Sequence, residues 1–268
     1  MSHDLLLDAG LREQVIDLVY RAGAAILEIY AQDFEVEIKD DRSPLTAADR
    51  AAHDILDAGL SALAQGWPVL SEESSVIPWE QRRQWRRYWL VDPLDGTREF
   101  VKRNGEFTVN VALIEDGVPR FGVVHAPVGG ELWWGGGGLG AFRRVDRDDL
   151  AIASTRPAAA PLRVAASRSH LDASTLALLT RLGEHERLGV GSSLKFCWLA
   201  EGRADVYPRF GPTSEWDTAA GQCVLEGAGG CVIDVHGAAL RCNQGESLIN
   251  TDFLALGDPD LPWRDWLG

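Results

Sequence analysis

The stretch WLVDPLDGTREF, residues 89–100, joins two kinds of sequence that normally stay apart. Trp89, Leu90 and Val91 read as a buried strand, yet Asp92 and Asp95 follow at once, with Gly96 and Thr97 directly behind them. Pro93 lies between the two acids, removes a ladder donor and turns the chain out of the sheet. Both carboxylates then sit at the end of a strand, where ligands commonly lie in layered α/β structures. One Asp suffices to cap the segment GTREFVKR that follows. A second, beside an exposed hydroxyl and a flexible glycine, gathers several oxygens around one point, as a hard cation such as Mg²⁺ requires. On these residues alone, helix capping and metal binding stand about equal.

The chain around this stretch has 268 residues, enough for one large domain or two smaller ones that each bury a core. It is 46% hydrophobic and 25% charged, as a globular protein is. No run nears the roughly 18 consecutive apolar residues of a membrane span. The opening MSHDLLLDAGLREQ lacks a basic segment followed by an apolar one, so no secretory signal is read and a cytoplasmic location is expected. A net charge of -14 and a pI near 4.8 argue against a nucleic-acid partner, which would need a basic face. They leave room for an anionic substrate, because metal ions on a few carboxylates reverse the local field. Cys197, Cys223, Cys231 and Cys242 form no CxxC pair and have no histidine at zinc-like spacing, so buried or idle thiols in a reducing compartment are expected.

Apolar positions Leu11, Val15, Leu18, Ala22, Ala25 and Ile29 give residues 4–31 the stripe of a core-facing helix. The polar turn KDDRSP (39–44) leads to a second helix in which Ile55, Leu56, Leu60 and Leu63 repeat the pattern until Gly66 and Pro68 stop it. From residue 67 short β-rich runs take over, with Asp116-Gly117 as a hairpin turn. The glycine run 135–138 reads as a turn between strands, since it lacks the Lys-Ser/Thr ending of a phosphate loop. The break STRPAAAP (154–161) suggests an N-terminal α+β domain over 1–153, two long helices on an antiparallel sheet, and a C-terminal α/β domain over 154–268. In the second half, PLRVAAS, a helix near 172–182, GVGSS, a helix near 194–202, ADVYP, WDTAAGQCVLEGAGG and CVIDV alternate as strand and helix. Trp133-Trp134 reads as one exposed and one buried ring or as an interface patch.

Four further acids each have a bland reading. Glu72 and Glu73 follow Val69 and Leu70 as charges at a strand end do, in a solvated turn. Asp49 stands three residues after Thr46, as in a capping box, and Asp217 opens a helical run where an N-cap would stand. Together these strand-end and helix-start acids make one cluster worth testing.

WLVDPLDGTREFVK (89–102) and WDTAAGQCVLEGAGG (216–230) resemble the two signatures of the inositol monophosphatase superfamily of Mg²⁺-dependent phosphatases. The resemblance extends over PVLSEES, SRSH, LGEHE, GSSLKFC and AEGRADVYPRFGPTSEWDTAAG, where it is nearest to the 3'(2'),5'-bisphosphate nucleotidases of the CysQ type. It implies a layered αβαβα sandwich and two or three Mg²⁺ ions. It further implies that Glu72, Asp92, the backbone carbonyl of Leu94, Asp95 and Asp217 hold the metals, and that Asp49, with Thr97 beside it, orients a metal-bound water. Gly96 and Thr97 would offer N–H groups to a phosphate at a helix start. Inhibition by Li⁺ is implied by the resemblance alone. So is peripheral contact with the inner membrane, for which no basic amphipathic helix is found.

The substrate is read from the second half. Where the resembled inositol monophosphatases place a Glu that accepts from sugar hydroxyls, YPRFGPTSEWD carries Arg209, and a cation there favours an anionic group. Ser192, Ser193 and Lys195 in GSSLKF, and Arg168 and His170 in SRSH, join Arg209 and the metal-site residues Glu72, Leu94, Asp95, Gly96, Thr97 and Asp217 as substrate-binding candidates. Lys195 and Arg168 could equally be solvated surface charges. The set suggests a small-molecule nucleotide, adenosine 3',5'-bisphosphate (PAP), hydrolysed to AMP and phosphate. An inositol or sugar monophosphatase is the alternative, and a catalytically silent Mg²⁺- or nucleotide-binding regulator and a two-metal nuclease are the weaker competitors. Monomer and homodimer, and PAP and its sulfated precursor PAPS, stay open.

Overall fold

The computed structural model of the chain describes residues 9–38, 44–63, 65–74, 76–166 and 172–267. The first helix, α1 (Ala9–Tyr30), buries Leu11, Val15, Leu18 and Ala22 as its stripe requires, and Ile26 in place of the half-buried Ala25 and Ile29. Residues 4–8 of the expected helix and 39–43 of the polar turn lie outside the described residues. Two short strands, β1 (Val36–Ile38) and β2 (Pro44–Thr46), pair antiparallel ahead of α2 (Ala47–Ser61), which buries Ala52, Leu56 and Leu60.

Next come β3 (Val69–Ser71), α3 (Trp79–Arg82), β4 (Arg87–Asp95), α4 (Thr97–Val101), β5 (Thr108–Glu115), β6 (Val118–Ala126), β7 (Glu131–Gly136), β8 (Gly140–Val145) and β9 (Asp148–Ile152). The seven strands form one sheet in sequence order, antiparallel throughout except that β3 runs parallel to β4. Asp116 and Gly117 join β5 to β6 with φ of 50° and 74°, the backbone a two-residue hairpin with strand-matched twist demands.

Side chains alternate across this sheet with period two. Trp89, Val91, Val109, Val111 and Leu113 pack with α1 and α2, whereas Tyr88, Leu90, Ala112 and Ile114 face the other way into a second cluster. Both faces are covered, so every residue of β5 is buried. The same fact corrects the reading of Trp133 and Trp134: neither is exposed, for they are buried on opposite faces, with their indole N–H groups donating to Glu201 Oε1 (2.9 Å) and Asp149 Oδ1 (2.8 Å).

The second half supplies β10 (Leu162–Ala166), α5 (Ala173–Leu182), β11 (His185–Gly189), α6 (Leu194–Ala200), β12 (Val206–Arg209), α7 (Glu215–Gly227), β13 (Cys231–Asp234), β14 (Phe253–Leu256) and α8 (Arg264–Leu267). Its sheet has the order β11-β10-β12-β14-β13, parallel among the first three strands and antiparallel on both sides of β14. The sequence reading places a strand at 189–193; it lies four residues earlier, and Ser192-Ser193 belong to the turn before α6.

Five layers result: α1 and α2, the seven-stranded sheet, α6 and α7, the five-stranded sheet, then α5 and α8. One core cluster runs from Tyr88, Leu90 and Trp133 through Phe196, Val224 and Leu225 to Tyr207 and Phe253, so the two halves share it. Glycines let α7 lie directly on the first sheet. A Cβ on Gly122 would stand 2.4 Å from the carbonyl oxygen of Ala220, and one on Gly227 would stand 2.3 Å from that of Gly140. Within the glycine run, a Cβ on Gly136 would stand 2.1 Å from the carbonyl oxygen of Arg120, so part of the run serves close approach as well as turning. All four cysteines are free; Cys197, Cys223 and Cys242 are buried, and burial raises their thiol pKa well above the usual value.

Candidate active site

Asp92 is reached by a strand and left by an irregularity. The pairing of β4 with β5 slips between Asp92 and Asp95, across Pro93, and the N–H of Leu94 donates back to Asp92 Oδ1 at 3.0 Å. Gly96 then turns the chain into α4 with φ of 91°, a left-handed backbone natural only to glycine. Thr97 follows, its Oγ1 3.2 Å from Asp49 Oδ1 and 3.3 Å from the carbonyl oxygen of Leu94. From the neighbouring strand, the N–H of Glu72 donates to Val91 O at 3.1 Å, which extends the ladder by one residue and brings Glu72 beside Asp92.

Asp49 and Asp217 arrive by the same device. Each is the third residue of its helix in a capping box: Asp49 Oδ2 accepts from the N–H and hydroxyl of Thr46 (2.8 and 2.7 Å), and Asp217 Oδ2 accepts from the N–H of Ser214 (2.9 Å). Asp217 is thus not the N-cap of its helix; Ser214 is. The capping reading and the chemical one coexist, because capping occupies one carboxylate oxygen and leaves the other.

One carboxylate oxygen from each of Glu72, Asp92 and Asp217 falls within 4.8 Å of the others. Asp95 stands beside this trio, with Oδ2 accepting from the N–H of Ser193 at 2.6 Å. Burial raises the pKa of Asp92 well above the carboxylate range, and the charges of Glu72, Asp95 and Asp217 add to the rise. Burial, then Asp95, pushes Asp217 up to about 8. Asp95 is raised by burial as well, with Lys195 and the Ser193 hydrogen bonds opposing. Buried, mutually repelling hard oxygens of this kind fit a divalent cation, which would relieve both the burial cost and the repulsion.

Two adjoining cavities, of about 390 and 510 Å³, open on this cluster and share Asp95, Gly96, Arg209 and Asp217 in their walls. Glu72, Asp92, Leu94 and Thr97 line the larger; Ser192 and Lys195 line the smaller. Lys195 is buried, donates to Ser192 O at 2.8 Å, and has its pKa pushed down to about 8 by burial against the opposing pull of Asp95. Arg209 donates to the carbonyls of Gly211 (3.2 Å) and Pro212 (3.0 Å), which holds its guanidinium at the junction of the cavities. Ser193 lines neither cavity. Arg168 and His170 lie outside the described residues.

Three residues of the site go unread in the sequence. Arg98 and Lys102 on and just after α4 line the smaller cavity, and their signal, two basic residues one turn apart behind GT, was available. Asn110 is buried in an otherwise apolar strand and donates to Ser193 Oγ at 2.9 Å; a lone amide inside TVNVALIE was the clue.

The chain belongs to the inositol monophosphatase family, whose model matches residues 9–258. Within that family it is 50% identical over 244 residues to the 3'(2'),5'-bisphosphate nucleotidase CysQ of Salmonella typhimurium, covering 90% of this chain and 97% of that one. The 3'(2'),5'-bisphosphate nucleotidase CysQ of Haemophilus influenzae is 36% identical over 262 residues, 97% of each chain. The crystal structure of CysQ from Bacteroides thetaiotaomicron, a bacterial member of the inositol monophosphatase family, superposes with a TM-score of 0.80 at 39% identity, over 94% of this chain and 98% of that one. Its layered fold and the one described above agree.

Proposed function

We propose that this chain is a 3'(2'),5'-bisphosphate nucleotidase that removes the 3'-phosphate of PAP to give AMP and inorganic phosphate. The observation that carries the reading is that Lys195 and Arg209 both wall the cavity that opens on Asp95 and Asp217. A substrate with one phosphate at the carboxylate cluster and another a fixed distance away suits that pairing of charges. The CysQ relatives, similar over nearly their whole length, support the same choice.

In this reading Glu72, Asp92, the Leu94 carbonyl, Asp95 and Asp217 hold two or three Mg²⁺ ions. When bound, the ions neutralise phosphoryl oxygens and acidify water. The chain's own part is orientation and proton handling. Asp49 is fixed by Thr46 on one oxygen and faces the Thr97 hydroxyl with the other. Thr97 takes a proton from the attacking water as it passes its own to Asp49. The water oxygen bonds to phosphorus, the bond from phosphorus to the 3'-oxygen breaks, and that oxygen leaves with the electron pair and is protonated from solvent. Gly96 and Thr97 seat phosphoryl oxygens with their N–H groups, while Lys195, Arg209 and Ser192 hold the remote phosphate. By the family resemblance Arg168 and His170 are further candidates for contact with the nucleotide, and both lie outside the described residues.

PAPS is a second substrate of the same chemistry, and clearing PAP places the enzyme in sulfur assimilation in the cytoplasm. No described helix is long and apolar enough to cross a membrane. The test is phosphate release from PAP with and without millimolar Mg²⁺, beside inositol 1-phosphate at equal concentration. Fast Mg²⁺-dependent release from PAP alone is expected. Preference for inositol 1-phosphate would leave the cluster standing and overturn the role of Lys195 and Arg209; hydrolysis of neither would overturn the enzyme.

A further inference from the structure

Ser193 is 1% exposed and sits where three parts of the chain meet. Its N–H donates to Asp95 Oδ2 at 2.6 Å; its Oγ lies 2.9 Å from that same oxygen and 2.7 Å from the main-chain carbonyl oxygen of Asp217. Asn110, on β5, donates its amide N–H to Ser193 Oγ at 2.9 Å. The first sheet thus supplies Asp95 and Asn110, the turn before α6 supplies Ser193, and α7 supplies Asp217.

A hydroxyl has one proton and two lone pairs. With Asn110 donating to a lone pair and the Ser193 N–H already on Asp95 Oδ2, the one hydroxyl proton can go to the Asp217 carbonyl, so the residue ties the two acidic residues to each other. Asn110 sits 1% exposed, and its Oδ1 has no hydrogen-bond partner. Burying an amide with an orphan acceptor costs the fold its desolvation penalty. Packing alone would favour an apolar residue there; the amide N–H that orients Ser193 is what such a side chain would lack.

We infer that Ser193, oriented by Asn110, is a positioning residue that fixes Asp95 against Asp217 for the cation and does not touch the substrate. The inference rests on the reading of Asp95 and Asp217 as metal-holding residues, and it separates Ser193 from the neighbouring Ser192 and Lys195, which do wall the cavity.

The experiment compares the full chain with Ser193→Ala and Asn110→Ala. Mg²⁺ affinity is measured calorimetrically without substrate, and kcat and KM for PAP at saturating Mg²⁺. Loss of a residue that orients a metal ligand weakens the metal about tenfold or more, so both variants should bind Mg²⁺ at least about tenfold more weakly while KM at saturating Mg²⁺ stays within about twofold. Unchanged Mg²⁺ affinity in folded Ser193→Ala, or a large rise in KM with Mg²⁺ affinity intact, would overturn the inference, the latter by making Ser193 a substrate contact. Should Ser193→Ala lose its circular dichroism spectrum, Asn110→Ala decides by the same two readouts. A wild-type chain that binds Mg²⁺ yet leaves PAP intact would refute the nucleotidase reading, and the affinity comparison would still judge Ser193.

Discussion

Asp217→Asn is expected to stabilise the metal-free protein at pH 8 while abolishing its response to Mg²⁺. Burial and the neighbouring charge of Asp95 lift this carboxyl from 3.8 to about 8. At about 1.4 kcal/mol per unit, that rise places on the order of 5 kcal/mol against the ionised, metal-free fold. The folded pKa is raised, so the folded state holds the proton longer than the unfolded chain does. Stability contributed by this group is therefore lowest above pH 8 and is gained as pH falls through 8 toward 4. Between pH 8 and pH 6 the gain is about 2 kcal/mol, or about 4–8 °C in Tm for a chain of this size. Asparagine stays neutral throughout, and its amide oxygen can still accept from the Ser214 N–H, so the helix start is kept. The assay is thermal unfolding in EDTA at pH 8, 7 and 6, then with millimolar Mg²⁺. The variant should melt above wild type at pH 8, and the gap should shrink by about 4–8 °C toward pH 6. Mg²⁺ at about 100 times its Kd should raise the wild type by about 2.7 kcal/mol and leave the variant unmoved. A variant no more stable than wild type at pH 8 in EDTA, or a gap indifferent to pH, would refute the account of buried mutual repulsion.

Asp95→Asn should lower PAP turnover about 10²-fold or more with the circular dichroism spectrum unchanged, because a neutral amide is a poor ligand for a hard cation; activity within a few fold of wild type would remove Asp95 from the site. Arg209→Glu should harm PAP hydrolysis more than hydrolysis of a simple monophosphate, and equal losses on both would take Arg209 out of specificity. Gly122→Ala should lower stability by about 1–3 kcal/mol, since its methyl meets the backbone oxygen of Ala220 and backbone cannot step aside as a side chain can. An unchanged Tm would show that α7 shifts freely on the sheet.

The carboxylates were legible because each sits at a boundary between elements, where local sequence is most explicit. WLVDPLDGT announces an apolar strand, a break and a glycine turn within nine letters, and the structure brings Asp92, Glu72 and Asp217 together from three such boundaries. Capping and chemistry look like rivals at Asp49 when only the spacing from Thr46 is known. Oxygen by oxygen they are compatible: Oδ2 serves the helix and Oδ1 faces Thr97. What could not be read depends on distant partners. Trp134 alternates with Trp133 as one inward and one outward ring should, and only the helices on both faces make both of them buried. The bond from Asn110 to Ser193 spans 83 residues, and neither side chain signals the other. β14 has four apolar residues and no alternation, so its place between β12 and β13 in the second sheet comes from pairing alone.

The seating of α7 on the first sheet has a consequence for how the chain is made. Tyr88, Leu90 and Trp133 emerge early in synthesis on a sheet face whose cover is built from residues 194–200 and 215–227. Contacts so far apart in sequence are reached only after a large loop has closed, which slows folding and leaves apolar strand surface open meanwhile. The nascent chain should therefore stay vulnerable to chaperones and proteases until α7 clears the ribosome, and the carboxylate cluster, which needs Asp217 from that same helix, can assemble only at that moment.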